Sequence, residues 1–192
     1  MGDRPGAGIA LPAAAFVAGE PEPVAVLEDA RRGDQDAGRR LMAEHGASML
    51  RTARSVLGRY DGRDAEDVVQ EAFVAALTTR ALPSSDLGAW LRAITVRKAL
   101  DAARARMRRG EIAAIDEAED VPARSVPSAD VLAVRQALSR LSAAERAVLV
   151  LVDVEGRSMK EAAATLGTTS VAVRLRAVRA RRKLASLVRG ER

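Results

Sequence analysis

Residues 158–184 read SMKEAAATLGTTSVAVRLRAVRARRKL, and their punctuation decides how the C-terminal part of the chain folds. Ser158 stands three residues before Glu161, the spacing at which a serine hydroxyl and a glutamate carboxylate cap a helix start reciprocally. The short helix this opens, Met159–Leu166, runs into Gly167, which is free to take the left-handed conformation that ends helices. Thr168, Thr169 and Ser170 then offer caps for a longer helix over about 171–188. A short helix, a glycine turn and a longer basic helix make a helix-turn-helix, whose second helix enters the DNA major groove. On that helix Val173, Ala177, Ala180, Leu184 and Leu187 form the core stripe. Ser170 and Arg174 lie where base edges are read, and Arg176, Arg179, Arg181 and Arg182 lie where phosphates are met. Ser158, Lys160, Thr168 and Thr169 complete the candidate DNA-facing set. Leu175 and Val178 point away from the stripe, which fits incidental exposure as well as contact with thymine methyls or a protein.

The same capping arithmetic works upstream. Ser142 and Glu145 form a second box, opening a helix predicted to end at Gly156. Further back, residues 64–73 read DAEDVVQEAF. Ala65, Val68, Val69, Ala72, Phe73 and Ala76 make an apolar arc, with Asp64, Asp67 and Glu71 on an adjacent face. Those carboxylates fit an acidic first turn favoured by the helix dipole. They equally fit a docking face for a basic partner. Beyond Pro83, Ser84, Ser85 and Asp86, a loop by composition, comes a long helix carrying Trp90, Arg92, Arg97, Lys98, Asp101 and Arg104. Its predicted apolar face is Val96, Ala99, Leu100, Ala103 and Met107. Trp90 suits either core packing or base stacking.

Composition narrows the class. Of 192 residues, 48% are apolar but only 2% aromatic, and the abundant Ala, Leu and Arg favour helix, so an all-α protein is expected. There is no cysteine and only His45, which removes disulfides, thiolate metal sites and most histidine chemistry. With no phosphate-cradling glycine loop and no nucleophile–base set, neither an enzyme nor a cofactor or metal site is expected. Residues 9–18 are apolar but broken by Pro12 and preceded by no basic cluster, so a cytoplasmic protein is expected. Net charge is +5, mostly arginine, which suits bidentate contact with phosphate and guanine. The basic residues cluster at 90–109 and 170–192. Between them, residues 110–130 hold Glu111, Asp116, Glu117, Glu119, Asp120 and Asp130 with two prolines. This reads as an N-terminal disordered arm (1–26), a helical module (27–109), an acidic flexible linker (110–130) and a helix-turn-helix module (131–192). Two basic blocks on two modules suit one polyanion gripped at two places.

The ordered set DAEDVVQEAF, W-L-R-A-I…D…R-R, an acidic linker, and L-S-A-A-E-R-A-V-L through R-A-R-R-K-L resembles the extracytoplasmic-function (ECF) group of bacterial RNA polymerase sigma factors, over about residues 27–187. The resemblance implies two helical domains, sigma two and sigma four, that bind core RNA polymerase and direct it to promoters. It places Asp64, Glu66, Asp67, Gln70 and Glu71 on the clamp coiled coil of the β′ subunit. Ser84, Ser85, Asp86, Arg92, Arg97, Lys98, Asp101 and Arg104 would melt and read the −10 element. The helix-turn-helix would read the −35 element while touching the β flap, and an anti-sigma factor is a further partner of such proteins. Two departures stand out: Arg97 replaces a frequent asparagine, and Val171 and Leu175 are more apolar than usual. The alternative is a helix-turn-helix regulator that is not a polymerase subunit; it leaves DAEDVVQEAF and the first basic block without a role.

Overall fold

The structure, a computed structural model, describes residues 22–58, 62–83, 86–109 and 129–189. Among them are eight α-helices and no strand: α1 (Glu22–Arg31), α2 (Gln35–Leu57), α3 (Gly62–Thr78), α4 (Leu87–Arg108), α5 (Ala129–Ser139), α6 (Ala143–Leu149), α7 (Met159–Leu166) and α8 (Ser170–Arg189). The chain is all-α, as its composition requires. Ser84, Ser85 and residues 110–128 lie outside the described residues, as does the arm up to residue 21.

Two boundaries differ from the sequence reading. Helix α1 starts at Glu22, inside the segment assigned to the arm. Pro23 is no obstacle, because the first helical turn needs no N–H partner, and Leu27 is fully buried as the anchor. Helix α5 likewise starts at Ala129, inside the segment assigned to the linker.

The first module is built around α4, which packs against α2 and α3. The Asp86 carboxylate caps it, accepting from the N–H groups of Gly88 at 3.3 Å and Ala89 at 2.8 Å. Asp34 does the same for α2, accepting from Asp36 and Ala37. All six residues of the α3 apolar arc are buried. On α4 burial is wider than the predicted face. Trp90, Leu91 and Ile94 are buried beside Val96, Ala99, Leu100 and Ala103, whereas Met107 is 76% exposed. The reason is tertiary: α4 packs against α2, α3, α6 and α7, so more than one of its faces is covered, and Ala103 is its last buried residue. Trp90 is 5% exposed, which decides for packing over base stacking. The Arg31 guanidinium sits 6.0 Å from its ring centroid and donates to the carbonyls of Ala76 and Ala81, tying α1 to the end of α3.

The second module joins this core instead of standing apart from it. Val56 and Leu91 of the first module and Leu151, Ala163 and Val173 of the second belong to one contiguous cluster. Arg146, 7% exposed, crosses the boundary. Its guanidinium donates to the Val56 carbonyl at 2.8 Å and the Leu57 carbonyl at 2.9 Å, both in the last turn of α2, and to the Leu141 carbonyl. Helix-terminal carbonyls lack intrahelical donors and carry the negative end of the dipole, so a buried cation there is neutralised where it stands. Gly58 follows directly, at φ +76, and a Cβ on it would lie 2.8 Å from Arg146 Cζ. At the other edge Arg92 Nε of α4 donates to both carboxylate oxygens of Glu155, at 2.6 and 2.8 Å.

Glu155 follows a wide turn. Helix α6 runs on as a π-helical turn over Val150–Val154, closed by the Glu155 N–H on the Val150 carbonyl at 2.9 Å. The helix predicted to reach Gly156 thus widens first, and its end sends Asp153 to Arg181 and Glu155 to Arg92.

Candidate nucleic-acid and partner interfaces

The helix-turn-helix forms as its punctuation dictates. Ser158 caps α7, its hydroxyl accepting from the Glu161 N–H at 3.2 Å while the Glu161 carboxylate accepts from the Ser158 N–H at 2.9 Å. Gly167 is left-handed at φ 63, ψ 41, and the Thr168 N–H closes the turn on the Ala163 carbonyl at 3.0 Å. Of the three candidate caps for α8, Thr169 is the one used, its hydroxyl accepting from the Ala172 N–H at 3.2 Å. Val173, Ala177 and Ala180 are fully buried, with Leu184 and Leu187 partly so.

The capping box also sets an acid response. The Ser158 hydroxyl, then the Ser158 backbone N–H, hold the Glu161 carboxyl below its ordinary value. A depressed carboxylate stabilises the fold above its unfolded pKa, and the contribution is lost as pH falls through the folded value. Hydrogen-exchange protection in α7 should therefore fall below about pH 4. In Glu161→Gln it should be lower at neutral pH and lose this step; a step of unchanged size in the variant would assign it elsewhere.

The candidate DNA-reading residues divide once placed. Ser170, Arg174, Arg179 and Arg182 are exposed, Arg176 is half-buried, and no ion pair ties these four arginines among the described residues. Arg181 differs: its guanidinium is bound in two places by the Asp153 carboxylate, which raises it above its ordinary value. Ser158 and Thr169 are exposed but occupied as caps, Lys160 is exposed, and Thr168 is half-buried.

On the first module, Asp67, Gln70 and Glu71 of α3 are exposed on one face. With Val74, Ala75, Thr78 and Lys98 they line a shallow groove between α3 and α4. Lys98 Nζ lies 3.5 Å from the Glu71 carboxylate. Glu66 is exposed to one side, and Val74, at 60% exposure, gives the groove an apolar wall. Asp64 does not join this face. It pairs with Arg106 of α4, so its carboxylate ties two helices together.

On α4, Arg92 is occupied by Glu155, Asp101 pairs with Arg104 at 3.3 Å, and Arg97 is half-buried. The Asp86 carboxylate is spent on the helix start. Sequence reasoning missed Arg146, Glu155 and the Asp64–Arg106 pair. A lone arginine in the apolar run AERAVLVLV hints at the first, but its partners lie 89 and 90 residues away. Among the described residues no helix is long and apolar enough to cross a membrane, and no cluster of His, Cys, Asp and Glu could hold a metal ion.

Residues 41–109 match the family model described as Sigma-70 region 2, and residues 132–184 that described as Sigma-70, region 4. The chain is 34% identical over 175 residues to the RNA polymerase sigma factor NccH of Alcaligenes xylosoxydans xylosoxydans, covering 85% of this chain and 93% of NccH. It is 32% identical over 158 residues to the ECF RNA polymerase sigma factor SigM of Mycobacterium tuberculosis, covering 81% and 79%. Among solved structures it is similar to the sigma factor RpoE of Bartonella quintana in complex with the anti-sigma factor NepR. The TM-score is 0.62 at 26% identity, over 82% of this chain and 99% of that one. A separate helix-turn-helix regulator would account for the second matched region and not the first. Both regions, in this order and joined by one core, make the chain a member of the ECF group of RNA polymerase sigma factors.

Proposed function

We propose that this sigma factor docks on core RNA polymerase through the Asp67–Gln70–Glu71 face of α3, reads the −35 element with α8, and meets the −10 element with α4 and the loop before it. The observation that carries the reading is the division of charge: exposed carboxylates on α3, and along the outer side of α8 the exposed Arg174, Arg179 and Arg182, which no ion pair ties among the described residues. The protein performs no chemistry of its own and acts in the cytoplasm, where core polymerase and promoters are. An anti-sigma factor is a fitting regulator, since the similar RpoE is held by one.

Arg92 reaches DNA only by leaving Glu155, which removes one of the ties between the two modules. Their buried boundary makes the free chain a weak DNA binder, and polymerase, by holding each module separately, favours the open form.

Run-off transcription and open-complex formation with purified core polymerase test the assignments. Arg174 sits in the first turns of α8, where base edges are read. Arg174→Ala should cost about 1–3 kcal/mol and relax preference at one −35 position. Arg182→Ala should weaken all promoters alike and lower the salt slope by about one. Arg174→Ala leaving the −35 preference unchanged would refute the placement of α8.

A further inference from the structure

The outermost line of α8 is apolar. Val171 is 75% exposed, Leu175 49% and Val178 37%, at the i, i+4, i+7 spacing that puts side chains on one helix face. This face lies opposite Val173, Ala177 and Ala180, which are all 0% exposed and fix how the helix sits on its module. Packing therefore assigns Val171 and Leu175 no task. Scattered exposed apolar residues are ordinary, but these are aligned, and the helix carrying them is otherwise basic. Arg174 stands on one flank and Arg179 on the other, with Arg182 continuing the line. Cations at the flanks and methyl groups along the crest complement a major groove. Phosphates rise at its edges, and the thymine C5-methyl is the one apolar group on its floor.

We propose that Val171 and Leu175 are specificity-determining residues that read thymine methyl groups in the −35 duplex. The proposal rests on α8 being the −35-reading helix. Residues four apart on a helix are separated by about 6 Å along its axis. That is close to two base-pair steps at about 3.4 Å each, so the two side chains address thymines about two base pairs apart, on either strand. Valine or leucine set against the amino group of adenine or cytosine would strip that donor of water and return no acceptor. The preference at these positions is therefore by methyl contact, in contrast to the hydrogen-bonded reading expected of Arg174.

The test uses holoenzyme assembled from the full chain and core polymerase. Duplexes randomised across the −35 region are selected for binding, and each thymine in the selected sequence is then replaced by deoxyuridine, which removes the methyl and leaves every hydrogen-bonding group. Wild type should lose about fourfold in affinity per methyl at two positions, the equivalent of one buried carbon. Val171→Ala should abolish the effect at one position and Leu175→Ala at the other, while both retain the base preference set by Arg174. Both side chains are exposed, and circular dichroism checks that the variants fold. A selected −35 sequence that tolerates deoxyuridine everywhere overturns methyl reading and leaves α8 as the reader. So does deoxyuridine sensitivity that persists in the double variant, and the line would then serve a protein partner. If no −35 sequence is enriched, the assignment of α8 falls, and this proposal falls with it.

Discussion

Replacing Arg146 with alanine is expected to destabilise the protein by about 3 kcal/mol, since each orphaned buried carbonyl costs on the order of 1–3 kcal/mol. The guanidinium satisfies the carbonyls of Val56, Leu57 and Leu141 at once, and two of these end α2, whose last carbonyls have no intrahelical donor. Arg146→Lys should recover little, because a single ammonium cannot span acceptors that a planar fork bridges. For a chain of this size the shift in Tm should be roughly 6–12 °C. The two modules should also uncouple. Trp90 is the sole tryptophan and is buried in the first module, so its fluorescence follows that module alone, while circular dichroism follows every helix. The two unfolding transitions should coincide in wild type and separate in Arg146→Ala. Unchanged stability, with coincident transitions, would mean that water replaces the guanidinium without loss and that Arg146 does not hold the modules together.

The largest effect on function is expected from reversing the α3 carboxylates. Asp67→Arg combined with Glu71→Arg should weaken core-polymerase binding by on the order of a hundredfold or more, as truncating one side of interfacial charge pairs costs about 2–5 kcal/mol. The fold should survive. Both side chains are exposed, and the ion pair lost with Lys98 is a surface pair, worth little. Equilibrium binding of labelled protein to core polymerase measures the loss, with helical content as the control. Wild-type affinity in a folded double variant would remove this face from the polymerase interface. Asp64→Ala is the contrasting case. It should lower stability through the lost tie to Arg106 and leave polymerase affinity nearly unchanged, because Asp64 faces α4 and not the groove.

The sequence determined what depends on neighbours a few residues apart. Both capping boxes, the left-handed Gly167, the buried arc of α3 and the core stripe of α8 follow from spacings of three, four and seven. Backbone groups at a helix start must find donors or acceptors within that reach, and side chains of one face share one environment. The exposed candidates on α8 and α3 were legible for the same reason: on these two helices one face is buried, and the residues opposite it face outward. Tertiary structure decided the rest. Trp90 became core on a side of α4 that its own pattern left polar, where Arg31 of α1 crosses its ring and bonds the end of α3. Asp64, Arg92 and Arg181 were drawn from the candidate interfaces into ion pairs with Arg106, Glu155 and Asp153. Arg146 became the clasp between modules through carbonyls at Val56 and Leu57. Each of these is a charge or a ring whose partner lies far along the chain. No period in the sequence encodes such a partner, because what selects it is which helix ends the core brings together.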